Sequence, residues 1–191
     1  MSNEESAPEL FTASDLARFC QVDLKTIHNW ADRGKIRHFR TQGRHLRFRR
    51  TDIVEFLHHF GYPIPEDIRA GKPRVFAVDD DANALVALRR VLTRRFQLTT
   101  FQDPFEALIA LGTLQPDALV LDIRMPGIDG VRFLDRLAAT DATAHIRTVV
   151  YSSHEDMREQ AAAAGAKAFV MKGEIAQLRD ELEKLTGIEK A

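Results

Sequence analysis

The sequence predicts an α/β protein, a doubly wound five-stranded parallel sheet with helices on both faces, preceded by a second, smaller domain. Three observations carry this reading. The apolar runs Val75 to Val78, Ala118 to Leu121, Thr148 to Tyr151 and Ala168 to Met171 are too short for helices and stop at polar residues, as buried parallel strands do. Between them apolar residues recur at helical spacing, so strand and helix signals alternate five times over. Finally, charge is divided along the chain. Residues 16–50 carry ten basic side chains against Asp23 and Asp32, a balance of +8, whereas residues from 51 onward carry 17 basic and 22 acidic side chains, a balance of −5. The net charge of −1 conceals two regions of opposite sign.

The elements follow in order. Thr12 or Ser14 caps a first helix carrying Leu16, Ala17 and Phe19; Gln21 and Val22 form a turn; Asp23 caps a second helix with Leu24, Ile27, Trp30 and Ala31 toward the core, and Gly34 ends it. Two short helices joined by a tight turn make a helix-turn-helix. After the core positions are assigned, Lys25, Thr26, His28 and Asn29 are the side chains placed toward a major groove. Ile36 to Arg40 and Leu46 to Arg49 then flank Gln42, Gly43 and Arg44, a β-hairpin with a basic tip. This first domain spans residues 8–60. Residues 61–73, with three prolines and two glycines, read as a linker, and residues 74–191 form the second domain. There Ala84, Leu85, Leu88, Val91 and Leu92, then Leu134, Leu137 and Ala138, then Ala161 to Ala164, and last Leu178, Leu182 and Leu185 mark helix core faces. Gly112 and Gly165 stand where helix C-caps are expected.

Composition narrows the classes. A basic cluster in a small folded segment implies a polyanion, since neutralising phosphates releases counterions. The lone Cys20 excludes an intramolecular disulfide and suits a reducing cytoplasm. No apolar run approaches 18 residues and the acidic start MSNEESAPEL lacks a hydrophobic stretch, so neither a membrane span nor a signal peptide is expected. The seven histidines show no zinc-ligand spacing with cysteine.

The chemistry gathers at the strand ends. Asp79, Asp80 and Asp81 follow the first run, Asp122 the second, Ser152 the third and Lys172 the fourth. Open α/β sheets bind ligands outside the carboxyl ends of their strands. Carboxylates clustered there repel one another unless a cation joins them, and an all-oxygen set suits Mg²⁺ rather than zinc. Asp81 precedes the next helix and reads as its cap.

The motifs VDDD, LDIRMPGIDG, VVYSS and FVMK, in that order over roughly residues 74–187, resemble the receiver domain of two-component response regulators, whose fold is flavodoxin-like. The resemblance implies Asp122 as phospho-acceptor, Asp79 and Asp80 with Asp122 as Mg²⁺ ligands, Lys172 and Ser152 as catalytic partners, and Phe169 as the switch aromatic that turns inward after phosphorylation. In three respects the chain departs from the family pattern. Gly173 stands where proline usually follows the lysine, Ser153 replaces a small Ala or Gly, and Arg124 and His154 occupy the positions flanking the route of an attacking water. Bulk at those two positions is expected to slow dephosphorylation.

Residues 11–60 resemble the MerR-like winged helix of excisionases and small developmental regulators, through FTASDLARFCQVDLKTIHNWADRGKIRHFRTQGRHLRFRRTDIVEFL. By that resemblance the second helix reads the major groove, and Arg40, Arg44 and Arg47 on the wing contact backbone or minor groove. Together the resemblances imply a cytoplasmic response regulator with its DNA-binding module first. A histidine kinase or phosphotransfer protein would phosphorylate it, and it would be no enzyme beyond its own receiver chemistry. A homodimer would form, if at all, through the receiver face at roughly residues 155–185. The alternatives are a signalling adaptor whose winged helix binds an acidic protein surface, and a phosphate sink.

Overall fold

A computed structural model describes residues 10–140 and 143–188. The expected domain start at residue 8, the acidic leader before residue 10 and the chain beyond 188 lie outside these. The described residues form two compact units, one comprising residues up to 72 together with 185–188, the other residues 73–184.

The first unit begins with β1 (Leu10–Thr12), α1 (Ala13–Cys20) and α2 (Leu24–Asp32). Thr12 caps α1 in a reciprocal box with Asp15: the Asp15 N–H donates to the Thr12 hydroxyl oxygen at 3.2 Å, and the Thr12 N–H donates to the Asp15 carboxylate at 2.8 Å. Gln21 turns the chain through the left-handed region at φ 54°, and Asp23 then caps α2 by accepting from the Thr26 N–H at 2.7 Å. The antiparallel pair β2 (Phe39–Arg40) and β3 (Leu46–Arg49) follows. Its first strand is shorter than the expected Ile36 to Arg40. Strand β1, which the sequence reading missed, pairs with the other side of β3 and gives the order β1-β3-β2. Helices α3 (Arg50–His59) and α4 (Glu66–Ala70) complete the unit. Leu16, Ile27, Phe48, Ile53, Leu57 and Ile68 are fully buried in one core.

Residues 61–73 are therefore no simple linker. Pro65 precedes α4, Ile68 enters the core, Tyr62 stacks on Phe56, and Asp67 pairs with Arg18 at 2.6 Å. Apolar burial outweighs the turn-forming composition of the stretch. At the other end of the chain, Gly187 adopts φ +74°, and a Cβ there would lie 2.5 Å from Val54 and 3.2 Å from Ile68. Residues 185–188 thus belong with the first unit and not with the receiver-like region assigned to 74–191.

The second unit alternates as expected: β4 (Arg74–Val78), α5 (Ala82–Leu92), β5 (Gln97–Phe101), α6 (Pro104–Leu114), β6 (Ala118–Leu121), the short antiparallel pair β7 (Arg124–Met125) and β8 (Ile128–Asp129), α7 (Gly130–Ala139), β9 (Arg147–Ser152), α8 (Arg158–Ala163), β10 (Ala168–Met171) and α9 (Ile175–Thr186). The five long strands are parallel in the order β10-β9-β6-β4-β5. Strand β4 sends its chain to β5 on one side, whereas β6 lies on its other side, so the crevice of the doubly wound sheet opens between β4 and β6. In register, Val78 stands opposite Leu121 and Leu121 opposite Val150, which brings Asp79, Asp122 and Ser152 to one edge. The apolar residues of β4, β6 and β9 are buried, as strands covered on both faces require. Gly112 is not a C-cap: α6 runs past it and ends at Gln115, φ 44°, because Ala107 and Leu111 hold the helix to the core. Gly165 does follow the end of α8, at φ +102°. Among the described residues no helix is long and apolar enough to cross a membrane.

Candidate functional site

Asp79 and Asp122 are buried at the crevice, 2% and 6% exposed, while Asp80 sits at its exposed rim. One carboxylate oxygen from each lies within 4.8 Å of the others. Each buried carboxylate is held at both oxygens. In Asp79, Oδ1 accepts from the Asp81 N–H at 2.9 Å and Oδ2 lies 2.8 Å from the Lys172 ammonium. Asp122 Oδ1 accepts from the Ser152 hydroxyl at 2.9 Å and from the Arg124 N–H at 3.1 Å, and its Oδ2 accepts from Lys172 Nζ at 2.6 Å. Asp81 caps α5 through the Asn83 N–H at 2.8 Å.

One ammonium bridges two of the three carboxylates, Asp79 and Asp122. Burial pushes the Asp79 carboxyl above the usual carboxylate range, although Lys172 and the Asp81 N–H oppose that shift. Burial would lower the Lys172 ammonium, but its hydrogen bonds to Asp122 and Asp79 outweigh this and hold it above its ordinary value. The cluster has more negative than positive charge, and its oxygen donors fit a hard divalent cation.

The backbone makes room for this edge. A Cβ on Gly130 would fall 2.4 Å from the Ile123 carbonyl oxygen, so only glycine lets the start of α7 approach the loop after Asp122. Asp129 caps α7 by accepting from the Val131 and Arg132 N–H groups at 3.0 and 3.2 Å. A cleft of about 640 Å³ opens beside Asp80, lined by Arg124, Met125, Pro126, Asp129 and Met157 among others.

Phe169 is already buried, and the Arg158 guanidinium lies 4.6 Å above its ring. Arg158 Nη1 also donates to the Phe169 carbonyl at 3.0 Å. Phe169 is thus buried with Asp122 unmodified, ahead of the inward turn expected after phosphorylation, while the Ser152 hydroxyl donates to the Asp122 carboxylate. Gly173 adopts φ +102°, a conformation closed to proline, and its N–H donates to the Tyr151 hydroxyl at 2.9 Å, a bond proline cannot make. Sequence reasoning missed Tyr151 and also Asp156, which approaches Arg124 at 3.8 Å and His154 at 4.0 Å. Its signal was an acidic residue two positions past His154.

In the first unit Lys25, His28 and Asn29 are exposed on α2 and Thr26 is half-buried. Leu24, assigned to the core, is instead 48% exposed, and Trp30 is half-buried against Phe56 with ring centroids 5.2 Å apart. The capping turn at Asp23 points Leu24 outward at the first helical position. On the hairpin Arg44 holds the exposed tip at φ 61°. Arg40 pairs with Asp32 at 2.9 Å and donates to the Arg44 carbonyl at 3.2 Å, while half-buried Arg47 donates to the Leu46 carbonyl at 2.9 Å. Thus three of the proposed contacts sit on one hairpin, with Arg40 already engaged by an acid from the end of α2.

A doubly wound domain with a buried carboxylate cluster at its crevice, joined to a small helix-turn-helix unit, is the class these features define. The chain belongs to the response regulator receiver domain family, whose model matches residues 75–183; a helix-turn-helix domain model matches residues 10–59. It is similar to the transcriptional regulatory protein PrrA of Mycobacterium leprae, 37% identical over 107 residues that cover 56% of this chain and 46% of that protein. It also resembles the DNA-binding transcriptional regulator NtrC of Klebsiella pneumoniae, 36% identical over 48% of this chain and 19% of the relative. The chain thus spans less than half the length of these relatives. Among solved structures, a response regulator receiver domain from Bermanella marisrubri is 29% identical with a TM-score of 0.55, covering 60% of this chain and 98% of that one. A Francisella receiver domain, 22% identical with a TM-score of 0.56 over 62% of this chain and all of that one, shares the fold.

Proposed function

We propose that the chain is a two-component response regulator that takes a phosphoryl group on Asp122 and regulates transcription through its helix-turn-helix unit. The observation that carries this is the double engagement of Asp122: Lys172 on one oxygen and Ser152 on the other, beside Asp79 and Asp80. Attack by an Asp122 oxygen on the phosphorus of a kinase or phosphotransfer phosphohistidine forms an O–P bond and breaks the P–N bond. The electron pair leaves with the imidazole, which takes up a proton. Lys172 follows the negative charge onto the phosphoryl oxygens, and the Ser152 hydroxyl exchanges the carboxylate for one of them. Asp79, Asp80 and Asp122 would hold Mg²⁺, which when bound supplies charge neutralisation for the transferred group. This reading gives the chain no catalysis beyond its own receiver chemistry and a cytoplasmic location.

The first unit would act as a MerR-like winged helix, α2 presenting Lys25, Thr26, His28 and Asn29 to the major groove and the hairpin presenting Arg40, Arg44 and Arg47 to the backbone. Exposed Leu24 at the start of α2 favours a second reading, in which this face meets a protein partner and the chain is an adaptor. Selection of genomic fragments by the purified protein with Mg²⁺, with and without beryllofluoride, separates the two. An enriched sequence that shifts with beryllofluoride is expected; weak, sequence-blind binding in both states would transfer the reading to the adaptor.

A further inference from the structure

Helix α6 carries an exposed apolar face. Pro104, Ala107 and Leu111 turn inward. On the opposite side Phe105, Leu108 and Ile109 are 59%, 45% and 73% exposed, and Gly112 continues the stripe. Positions 105, 108, 109 and 112 follow the i, i+3, i+4, i+7 spacing of a helix-packing seam. Glu106 is the sole charged residue of the helix. These three side chains expose on the order of 300 Å², the size of the largest apolar patch on a typical monomer, which is often functional.

We propose that this face pairs with the same face of a second copy of the chain, the two α6 helices antiparallel about a two-fold axis between Leu108 and Ile109. The pattern is self-complementary under that operation. Phe105 of one copy falls opposite Gly112 of the other, where an added Cβ would meet nothing within 4 Å and a ring has space to settle. Leu108 and Ile109 then meet Ile109 and Leu108. Antiparallel helices also place each N-terminus beside the other's C-terminus, the favourable dipole arrangement. An uncharged seam offers nothing to an acidic or basic partner, whereas a second copy supplies an equal uncharged surface. With its rim the pairing buries on the order of 1,000 Å², enough for a specific contact. The face at residues 155–185 has the opposite character: its charged side chains include Glu155, Arg158, Arg179 and Asp180, already joined as the ion pairs Arg158–Glu155 and Arg179–Asp180.

Sedimentation equilibrium of the full-length, unphosphorylated chain tests this, beside an Ile109→Glu variant whose fold is checked by circular dichroism. A reversible dimer that Ile109→Glu weakens at least tenfold is expected. A wild-type chain still monomeric at about 100 μM, well above the midpoint of a micromolar contact, overturns the proposal. So does a dimer that Ile109→Glu leaves intact, which would assign pairing to another face. An Ile109→Cys variant gives an independent reading, since Cys20 is buried and its thiol is pushed up to about 11 by burial. Mild oxidation should link copies through residue 109 near the axis, and failure to link under conditions where the chain is dimeric counts against this geometry.

Discussion

The carboxylate edge of the parallel sheet and the basic face of α2 hold their charges in opposite ways. At the edge, Asp79, Asp122, Ser152 and Lys172 are largely buried and bonded to one another at 2.6 to 2.9 Å. On α2, Lys25, His28 and Asn29 stand exposed, and the hairpin cation Arg40 is engaged by Asp32 rather than by a ligand. Buried charges are tolerated only when paired, so the chain itself specifies the first site down to individual oxygens. Exposed charges are screened and mobile, so the second face acquires a defined geometry only from its partner.

The largest test of this contrast is Asp122→Asn. It removes the acceptor oxygen, and phosphoryl uptake from acetyl phosphate, read on a phosphate-affinity gel, should vanish while thermal unfolding shows both units still folded. Uptake persisting at another residue would end the assignment. Next comes Ile68→Ala, which empties a fully buried site in the first unit and should cost about 2–5 kcal/mol in its chemical denaturation. A near-zero effect would restore residues 61–73 to the status of a linker.

On the open face, Lys25→Ala should weaken DNA binding roughly 3- to 10-fold and lower the slope of log affinity against log salt by about 1, with little change in sequence preference if the contact is to phosphate. Arg124→Asn should shorten the lifetime of the phosphorylated chain by a few-fold, measured as decay of the phosphate-retarded band; equal lifetimes would remove Arg124 from the water route. Smallest is Thr12→Ala, which deletes one half of a capping box at a cost of about 1 kcal/mol. Burial alone would raise the Asp15 carboxyl, but the Thr12 hydrogen bonds and Arg18 hold it below its ordinary 3.8. Its contribution is therefore complete above that value and is lost as the pH falls through the lower folded value, so the Thr12→Ala difference should shrink in strong acid.

The strand ends were legible because an apolar run stopped by Asp, Ser or Lys is a local pattern, and parallel register then aligns those stops without further information. That is why Asp79, Asp122, Ser152 and Lys172 could be gathered before any coordinates. Strand β1 was not legible, since three residues acquire strand character only by pairing with Arg47, Phe48 and Arg49 far along the chain. Helix α4 was hidden by its prolines and glycines, although Ile64 and Ile68, four apart, were the available signal. Gly112 misled for a related reason: glycine lowers helix propensity, but burial of Leu111 keeps the helix going past it. The Tyr151 to Gly173 bond joins two strands' ends and has no counterpart in local sequence.

That bond gives the molecule a built-in optical probe. The chain has one tryptophan and two tyrosines, and Trp30 and Tyr62 both lie in the first unit. Tyr151 is therefore the receiver's own ultraviolet chromophore, with its hydroxyl tethered to the residue after Lys172. On the proposed exchange of Lys172 from a carboxylate to a phosphoryl group, the polarity around that phenol should change with it. A near-ultraviolet difference spectrum, in which the signals of Trp30 and Tyr62 in the first unit form the background, should then report the state of the acceptor with no dye attached.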